Sequence, residues 1–320
     1  MTLRPAITTY VLSFALIIPA SAQVNLTPID PNDPDATVVE ELVVTGRLPG
    51  PAWWRVIKGD STVYVLGSPS VAPKHQAWNQ VIFDRRLEGA KLVILPFNGL
   101  KVRLAGAPGA MFSYLRLRSG RPFEESLDAA ARTRFIAART QVGQPSDHYK
   151  VSHPLAAGLT LINDYRDKTG LTTTDPTKLI KLLAGRKKVR VTQRTYDLGP
   201  LIGAIARTAP SVGRTCLDEA LRDVEEGPGG VIAASRAWSD GDVLGALAAE
   251  RSYERCLAAT PGALTFDNRV KGDLVADIET ALKTPGHAIA VIQLRPLLAQ
   301  GGVLDRLRAA GYEVKTPGEE

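Results

Sequence analysis

Three groups of side chains in this 320-residue chain have the types and spacing to do chemistry. Ser68 and Ser70 follow the apolar run Val63 to Leu66 on a strand-to-helix turn, where a nucleophile elbow would sit. The GxSxG motif is absent and no histidine can be tied to either serine by sequence, so no triad is assembled. The imidazoles are His75, His148, His153 and His287. A metal set of His75, His153 and His287 would need the fold to gather them. His287, however, opens its strand, whereas α/β sites form at strand carboxyl ends. His148 and His153 are five apart and miss the i, i+4 spacing of a zinc-binding helix, so surface or capping roles are expected. The third group is basic: Lys178, Lys181, Arg186, Lys187, Lys188, Arg190 and Arg194. Val189 and Val191 alternate with Lys188 and Arg190, which describes a strand with one basic face. That face is either simply solvated or a candidate site for an anionic partner such as lipid phosphates, acidic polysaccharide or a protein.

Composition bounds the class. With 22% charged and 44% hydrophobic residues, a disordered chain and a polytopic membrane protein are both excluded. The net charge of +6, from 39 basic and 33 acidic residues, is below that of a dedicated nucleic-acid domain, so nucleic acid is not an expected partner. Arg4, the apolar run Tyr10 to Ile18 and the small residues Ala20-Ser21-Ala22 read as a signal peptide over 1–22. The apolar run is too short to span a bilayer, which takes about 20 residues, and no later run approaches that length. The mature chain is therefore expected to be exported, with a bacterial periplasm its compartment. In that setting Cys216 and Cys256 are expected to form a disulfide. The bridge closes a 40-residue separation, worth about 4 kcal/mol by chain entropy.

Residues 23–50 are polar and Pro-rich without apolar periodicity, the composition of a flexible linker. Within them Val38 to Arg47 reads VVEELVVTGR. It resembles a segment near the N-termini of TonB-dependent receptors, which implies a docking role. The competing reading is an extended segment whose Val39, Val43 and Val44 lie against the domain. A short tail over 317–320 follows the domain.

From Trp53 the pattern is that of an α/β domain over 51–316. Two β-type runs, Trp53 to Ile57 and Thr62 to Leu66, flank a Gly59-Asp60 turn. The spacing then predicts a helix over Gln76 to Glu88 and a strand over Lys91 to Leu95. Strand His287 to Leu294, a loop, helix Val303 to Ala310 and strand Tyr312 to Lys315 repeat the unit at the other end. Between them the sequence is mostly helical: Ala110 to Arg118, Leu127 to Val142, Pro154 to Thr169, Pro176 to Leu183 with Asp175 as cap, and a series from Leu201 to Leu282. Val189 to Gln193 is the one strand among these. The expected fold is a mixed sheet built from N- and C-terminal βαβ units with a large helical insertion. Gly227-Pro228-Gly229-Gly230 lies between two helices and reads as their turn, not a phosphate loop.

The run Val63-Tyr64-Val65-Leu66-Gly67-Ser68-Pro69-Ser70-Val71, after Trp54-Arg55-Val56, resembles the opening of the TraB/GumN family: an apolar strand, GTxHV, a helix, then a strand ending in LVLE. Gly301-Gly302-Val303-Leu304-Asp305-Arg306-Leu307 and Gly311-Tyr312-Glu313-Val314 resemble its ending. There an apolar strand and GxxHL lead through a Gly-rich turn into a Leu-rich helix and Gly-Tyr-x-Val. The resemblance implies a fold shared with Tiki-type proteases and erythromycin-esterase-like proteins. It also implies metal-dependent hydrolysis through two histidines and a glutamate.

This sequence departs at each of those positions. Ser70 replaces the first histidine, Pro96 follows Leu95 where the glutamate is expected, and Gln293-Leu294-Arg295-Pro296 lacks the second Gly and His. The family's Arg-Asn pair is present only in the reverse order, Asn268-Arg269. A catalytic metal usually needs about three N, O or S ligands, and losing one member of a cooperating set removes most of its advantage. The expectation is a degenerate member with no cofactor, acting as an envelope binding or accessory protein. Two alternatives stay open. One is a hydrolase, metal-dependent or serine, rebuilt near Ser68, Ser70 and His75, just after the motif position Gly67; the other is a TonB-linked docking protein.

Overall fold

Alternation of apolar residues begins the fold at Trp53, and the hairpin forms as the sequence predicts. In this computed structural model β1 (Trp53–Lys58) pairs antiparallel with β2 (Ser61–Ser68), with Trp54 opposite Val65 and Val56 opposite Val63. The described residues are 33–319 except 47, 98, 102–106, 175, 198, 250–254, 257 and 259. The expected signal peptide, Arg47 and the cap at Asp175 lie outside them.

The remaining strands are β3 (Ala72–Pro73), β4 (Val93–Leu95), β5 (Leu100–Lys101), β6 (Leu171–Thr172), β7 (Val191–Gln193), β8 (Tyr196–Asp197), β9 (Gly286–Gln293) and β10 (Glu313–Lys315). Six of them form one sheet in the order β10-β1-β2-β9-β4-β7. The β2-β9, β9-β4 and β4-β7 pairs are parallel; the β10-β1 and β1-β2 pairs are antiparallel. The mixed sheet is thus assembled from both ends of the chain. The C-terminal strand β9 inserts between β2 and β4, the strands of the N-terminal βαβ unit. That central position, buried on both faces, explains the unbroken apolar run Ala288 to Ile292.

Twelve helices occur among the described residues. They are α1 (Val81–Leu87), α2 (Ala107–Leu117), α3 (Ala129–Gln141), α4 (Pro154–Thr169), α5 (Thr177–Arg186), α6 (Gly199–Arg207), α7 (Pro210–Glu226), α8 (Gly229–Ser239), α9 (Val243–Leu247), α10 (Ala263–Ala281), α11 (Leu294–Leu298) and α12 (Val303–Ala309). Helices α1, α10 and α11 pack on the central strands, and α5 packs on β4 and β7. Helices α3, α4 and α7 build a second core around Phe135, Tyr149, Leu161 and Leu221, which is the expected helical insertion. Helix α4 shows why its bounds are legible: His153 caps it, Pro154 occupies its first turn and Gly170 ends it at φ +70. The Cys216–Cys256 disulfide ties α7 to the residues before α10. Among the described residues no helix is long and apolar enough to cross a membrane.

Three expectations change. The helix expected over Gln76 to Glu88 starts only at Val81. His75 takes a left-handed φ of +62, Trp78 turns into the core, and the Asn79 side chain accepts from the Val81 amide. The loop expected after β9 instead contains α11, which begins at once after Gln293. The segment expected as a flexible linker is packed against the domain over its described part. The Val39 amide donates to the Leu298 carbonyl, Val38 bridges Ala299, and Leu42 is fully buried with its carbonyl accepting from Trp54 Nε1. Val39 and Val43 lie against the core, as in the second reading of that segment, on either side of a 3-10 turn over Glu40–Leu42 and next to the single bridge at Val38.

Candidate functional site

Parallel pairing brings the ends of β2, β9, β4 and β7 to one edge of the sheet, the place where open α/β sheets bind ligands. The positions singled out by sequence converge there. Ser68 is in register with Gln293, and Leu95, just before Pro96, is in register with Gln193. The Gln193 side-chain amide donates to the Pro96 carbonyl at 2.9 Å and so ties two strand ends together.

At Gly67 the edge is filled by protein, whereas Pro96 and Gln293 are half-buried. Trp238, on α8, donates its indole N–H to the Gly67 carbonyl at 2.6 Å. Trp238 also packs against Trp78 with ring centroids 5.7 Å apart, and Trp78 meets Phe83 edge-on. A Cβ at Gly67 would overlap Leu294 and lie 2.9 Å from Trp54 Cζ3. Glycine is therefore required here by close approach, since its φ is not in the left-handed region. The surroundings, formed by Ala52, Trp238, Asp242, Val243 and Leu294, leave no room for a water molecule. Asp242 does not face an open site: its carboxylate caps α9 through the Gly245 amide at 2.9 Å. Ser68 is 2% exposed, whereas Ser70 and Pro296 are half-buried. Trp238, Leu294 and Gln193 were not legible as site residues. A Trp on a helix and a Leu after a strand read as core, and only the register shows what they cover.

The histidines are spread over the molecule. His153 Nδ1 accepts from the Leu155 amide, leaving Nε2–H to donate to the Thr208 carbonyl at 2.9 Å. His148 Nε2 lies 3.0 Å from Asp164 Oδ2, which also accepts from the Tyr149 hydroxyl at 2.6 Å. His287 Nε2 lies 2.8 Å from the Arg86 carbonyl, and His75 is exposed on the turn after β3. Among the described residues no three His, Cys, Asp or Glu side chains are grouped to hold a metal ion.

The basic run is exposed throughout, with Lys178, Lys181 and Arg186 on α5, Lys187, Lys188 and Arg190 in the turn after it, and Arg194 after β7. The strand expected from Val189 begins only at Val191, and with Lys188 at φ +55 the residues Lys188 and Arg190 form no strand face. Three of its members are engaged, Lys181 by donating to the Gln193 side-chain oxygen at 3.3 Å. Arg194 forms a bidentate pair with Asp277 on α10, at 2.9 and 2.6 Å, and lies 3.5 Å from Asp273. The Asp277 hydrogen bond pushes the Arg194 guanidinium above its already high range. Lys187 is 3.5 Å from Glu88. Beside Arg194, Tyr196 is buried against Phe97 and Phe266 and donates to Asp273 Oδ2. Burial, reinforced by that bond, raises its phenol to about 12.

No curated protein and no solved structure matches the chain. A family model does: TraB/PrgY/gumN matches residues 52–316, from the residue before β1 to the residue after β10. Over that length, and with its two ends meeting in one mixed sheet, the chain belongs to the TraB/PrgY/gumN family.

Proposed function

We propose that this chain is an exported family member that works in the cell envelope as a binding or accessory protein, without the hydrolytic chemistry the resemblance implies. The observation that carries the reading is the filled strand edge at Gly67. Gly67 is covered by Trp238, Trp54 and Leu294, and no water-sized space remains beside it. A substrate and an attacking water both need that space, and oxyanion donors must face it. The alternative hydrolase, metal-dependent or serine, would use Ser68, Ser70 and His75. Ser68 is buried, Ser70 is half-buried and His75 is exposed on the turn after β3, and no three His, Cys, Asp or Glu side chains are grouped to hold a metal ion among the described residues. For the docking alternative, Val38, Val39 and Leu42 would have to leave the domain to meet a TonB-type partner.

Export rests on the signal-like N-terminus, and the Cys216–Cys256 bridge suits an oxidising compartment such as the periplasm. The envelope partner in this reading is anionic. Lys178, Lys181, Arg186, Lys188 and Arg190 remain exposed on the α5–β7 face. A second surface, on α2, exposes Met111, Phe112, Tyr114 and Leu115, with the Arg116 guanidinium 4.4 Å from the centre of the Phe112 ring. No acidic residue occurs between Glu88 and Glu124, a stretch with six Lys and Arg, so α2 suits an anionic lipid surface.

The test is metal content of the purified mature protein by mass spectrometry, with hydrolysis of a peptide and ester library with and without added Mn, Co and Zn. Folded protein without stoichiometric metal and without turnover is the expected result. Metal-dependent turnover would overturn the reading.

A further inference from the structure

Away from the filled edge, the amino half of the same sheet carries a cleft of about 290 Å³. Its floor follows from register. Arg55 and Tyr64 are direct partners across β1 and β2, and directly opposed residues share a face. His287 precedes by two positions Ile289, the β9 partner of Tyr64, so it joins that face. Helix α1 lies across it and supplies Ile82, Arg85 and Arg86, while Leu48 closes one side.

Two features separate this cleft from an ordinary basic surface. Its lining holds three guanidiniums, an imidazole and a phenol, and no Asp or Glu is among the described lining residues. Like charges lining one cleft repel, and an anion placed among them converts that repulsion into attraction. The second feature is positioning. The Arg86 guanidinium is held between the Trp53 and Tyr64 rings, 4.5 Å from each centroid, and its own carbonyl is held by His287 at 2.8 Å. Arg55 donates to the Glu319 carbonyl, which fixes that side chain as well. Planar forks whose rotamers are set before binding lose little entropy when they grip an oxyanion. The ring of Tyr64 with Ile82 and Leu48 adds an apolar wall. The volume lies at the small end of ligand pockets.

We propose that this cleft binds a small oxyanion, a carboxylate or phosphate monoester, carried on a planar apolar group of about one ring. The site is distinct from the Gly67 edge, so the proposal stands or falls separately from the reading of that edge.

Isothermal titration of the full mature chain at low ionic strength tests it with four probes: phenyl phosphate, benzoate, inorganic phosphate and benzyltrimethylammonium. Phenyl phosphate or benzoate should bind with one-to-one stoichiometry. The ring-bearing phosphate should bind more tightly than inorganic phosphate, and the cation of similar body should give no saturable heat. Arg85 is exposed on α1, so Arg85→Glu should leave thermal unfolding in place while weakening the anionic probes about tenfold or more. Lys168→Glu, on α4 in the helical insertion, should leave binding unchanged. The proposal is overturned if no anionic probe gives saturable heat up to about 10 mM, a range that covers weak millimolar binding. It is also overturned if Arg85→Glu binds as the parent does, or if Lys168→Glu weakens binding as much as Arg85→Glu. These readouts are binding heats, so they do not depend on whether the protein turns over a substrate.

Discussion

Lys271 Nζ lies 2.6 Å from Asp35 Oδ1 across 236 positions of sequence, and the lysine is 1% exposed. Asp267, one turn earlier on α10, holds the same ammonium at 2.8 Å. The residues ahead of β1 are thereby fastened to the helix that covers the central strands. Removing one partner of a buried pair leaves uncompensated charge at a cost of about 3–5 kcal/mol. Lys271→Met should lower unfolding stability by that amount, measured in urea. Limited proteolysis should show the parent chain resistant at 38–46 and the variant cut there. Cleavage of the parent at 38–46 under native conditions would show the segment to be free.

A second prediction concerns the tight contact at the strand edge. Gly67→Ala introduces a methyl group against Leu294 and Trp54, and overpacking of this kind costs about 1–3 kcal/mol. Leu294→Ala by itself leaves a cavity costing about 2–5 kcal/mol. Because the two changes share one space, the double variant should be more stable than the sum of the single losses by about 1 kcal/mol or more. Strict additivity in denaturant titrations would place Leu294 elsewhere.

These two sites also mark what the sequence could and could not reveal. The hairpin from Trp53 to Leu66 and helix α4 were legible because their signals are local: alternation around Gly59-Asp60, and Pro154 and Gly170 at the two ends of a helix. The start of α1 was misread because Trp78, Ile82 and Val81 keep helical spacing although Trp78 reaches the core from an irregular segment. The residues around Asp35 and Leu42 looked like a linker because their anchors, Lys271 and Leu298, come from the far end of the chain. The strand-end positions Gly67, Ser68, Pro96 and Gln293 were found from motif resemblance, and the register brings them to one edge. That Trp238 fills the edge, 171 residues from Gly67, is a tertiary fact with no local trace.

Ionisation of the buried phenols gives a third prediction. Burial raises Tyr165 and Tyr196 to about 12, and burial with the Asp164 hydrogen bond raises Tyr149 further. An unfolded phenol ionises near pH 10, so between about pH 10 and 12 the folded state binds more protons than the unfolded state. Stability should therefore be insensitive to these groups below pH 10 and fall as pH rises through that window. Difference absorbance titration against Tyr165→Phe and Tyr196→Phe should assign both to late ionisation. Their ionisation near pH 10 in folded protein would contradict the packing around them.

The envelope reading yields a fourth. The mature chain should co-sediment with vesicles containing anionic phospholipid and not with purely zwitterionic ones, and added salt should weaken binding. Phe112→Ser with Leu115→Ser should reduce sedimentation if α2 is the contact, because both side chains are more than half exposed and contribute little to the core. Lys181→Glu with Arg190→Glu should reduce it if the α5–β7 face is the contact. Unchanged sedimentation in both double variants would remove each surface from the account.

The most direct measurement of the central claim, that the strand edge is closed, is the reactivity of a single thiol placed at Ser68. The two native cysteines are tied in the Cys216–Cys256 bridge, so Ser68→Cys supplies the reacting group, with Ser70→Cys as the half-buried comparison. Ser68 is 2% exposed, and its thiol should react with a maleimide about 100-fold more slowly than that at 70, because it must wait for local opening. Denaturant should make the two alike. A thiol at 68 that reacts as fast as the one at 70 in folded protein would mean an open edge, and the hydrolase reading would return.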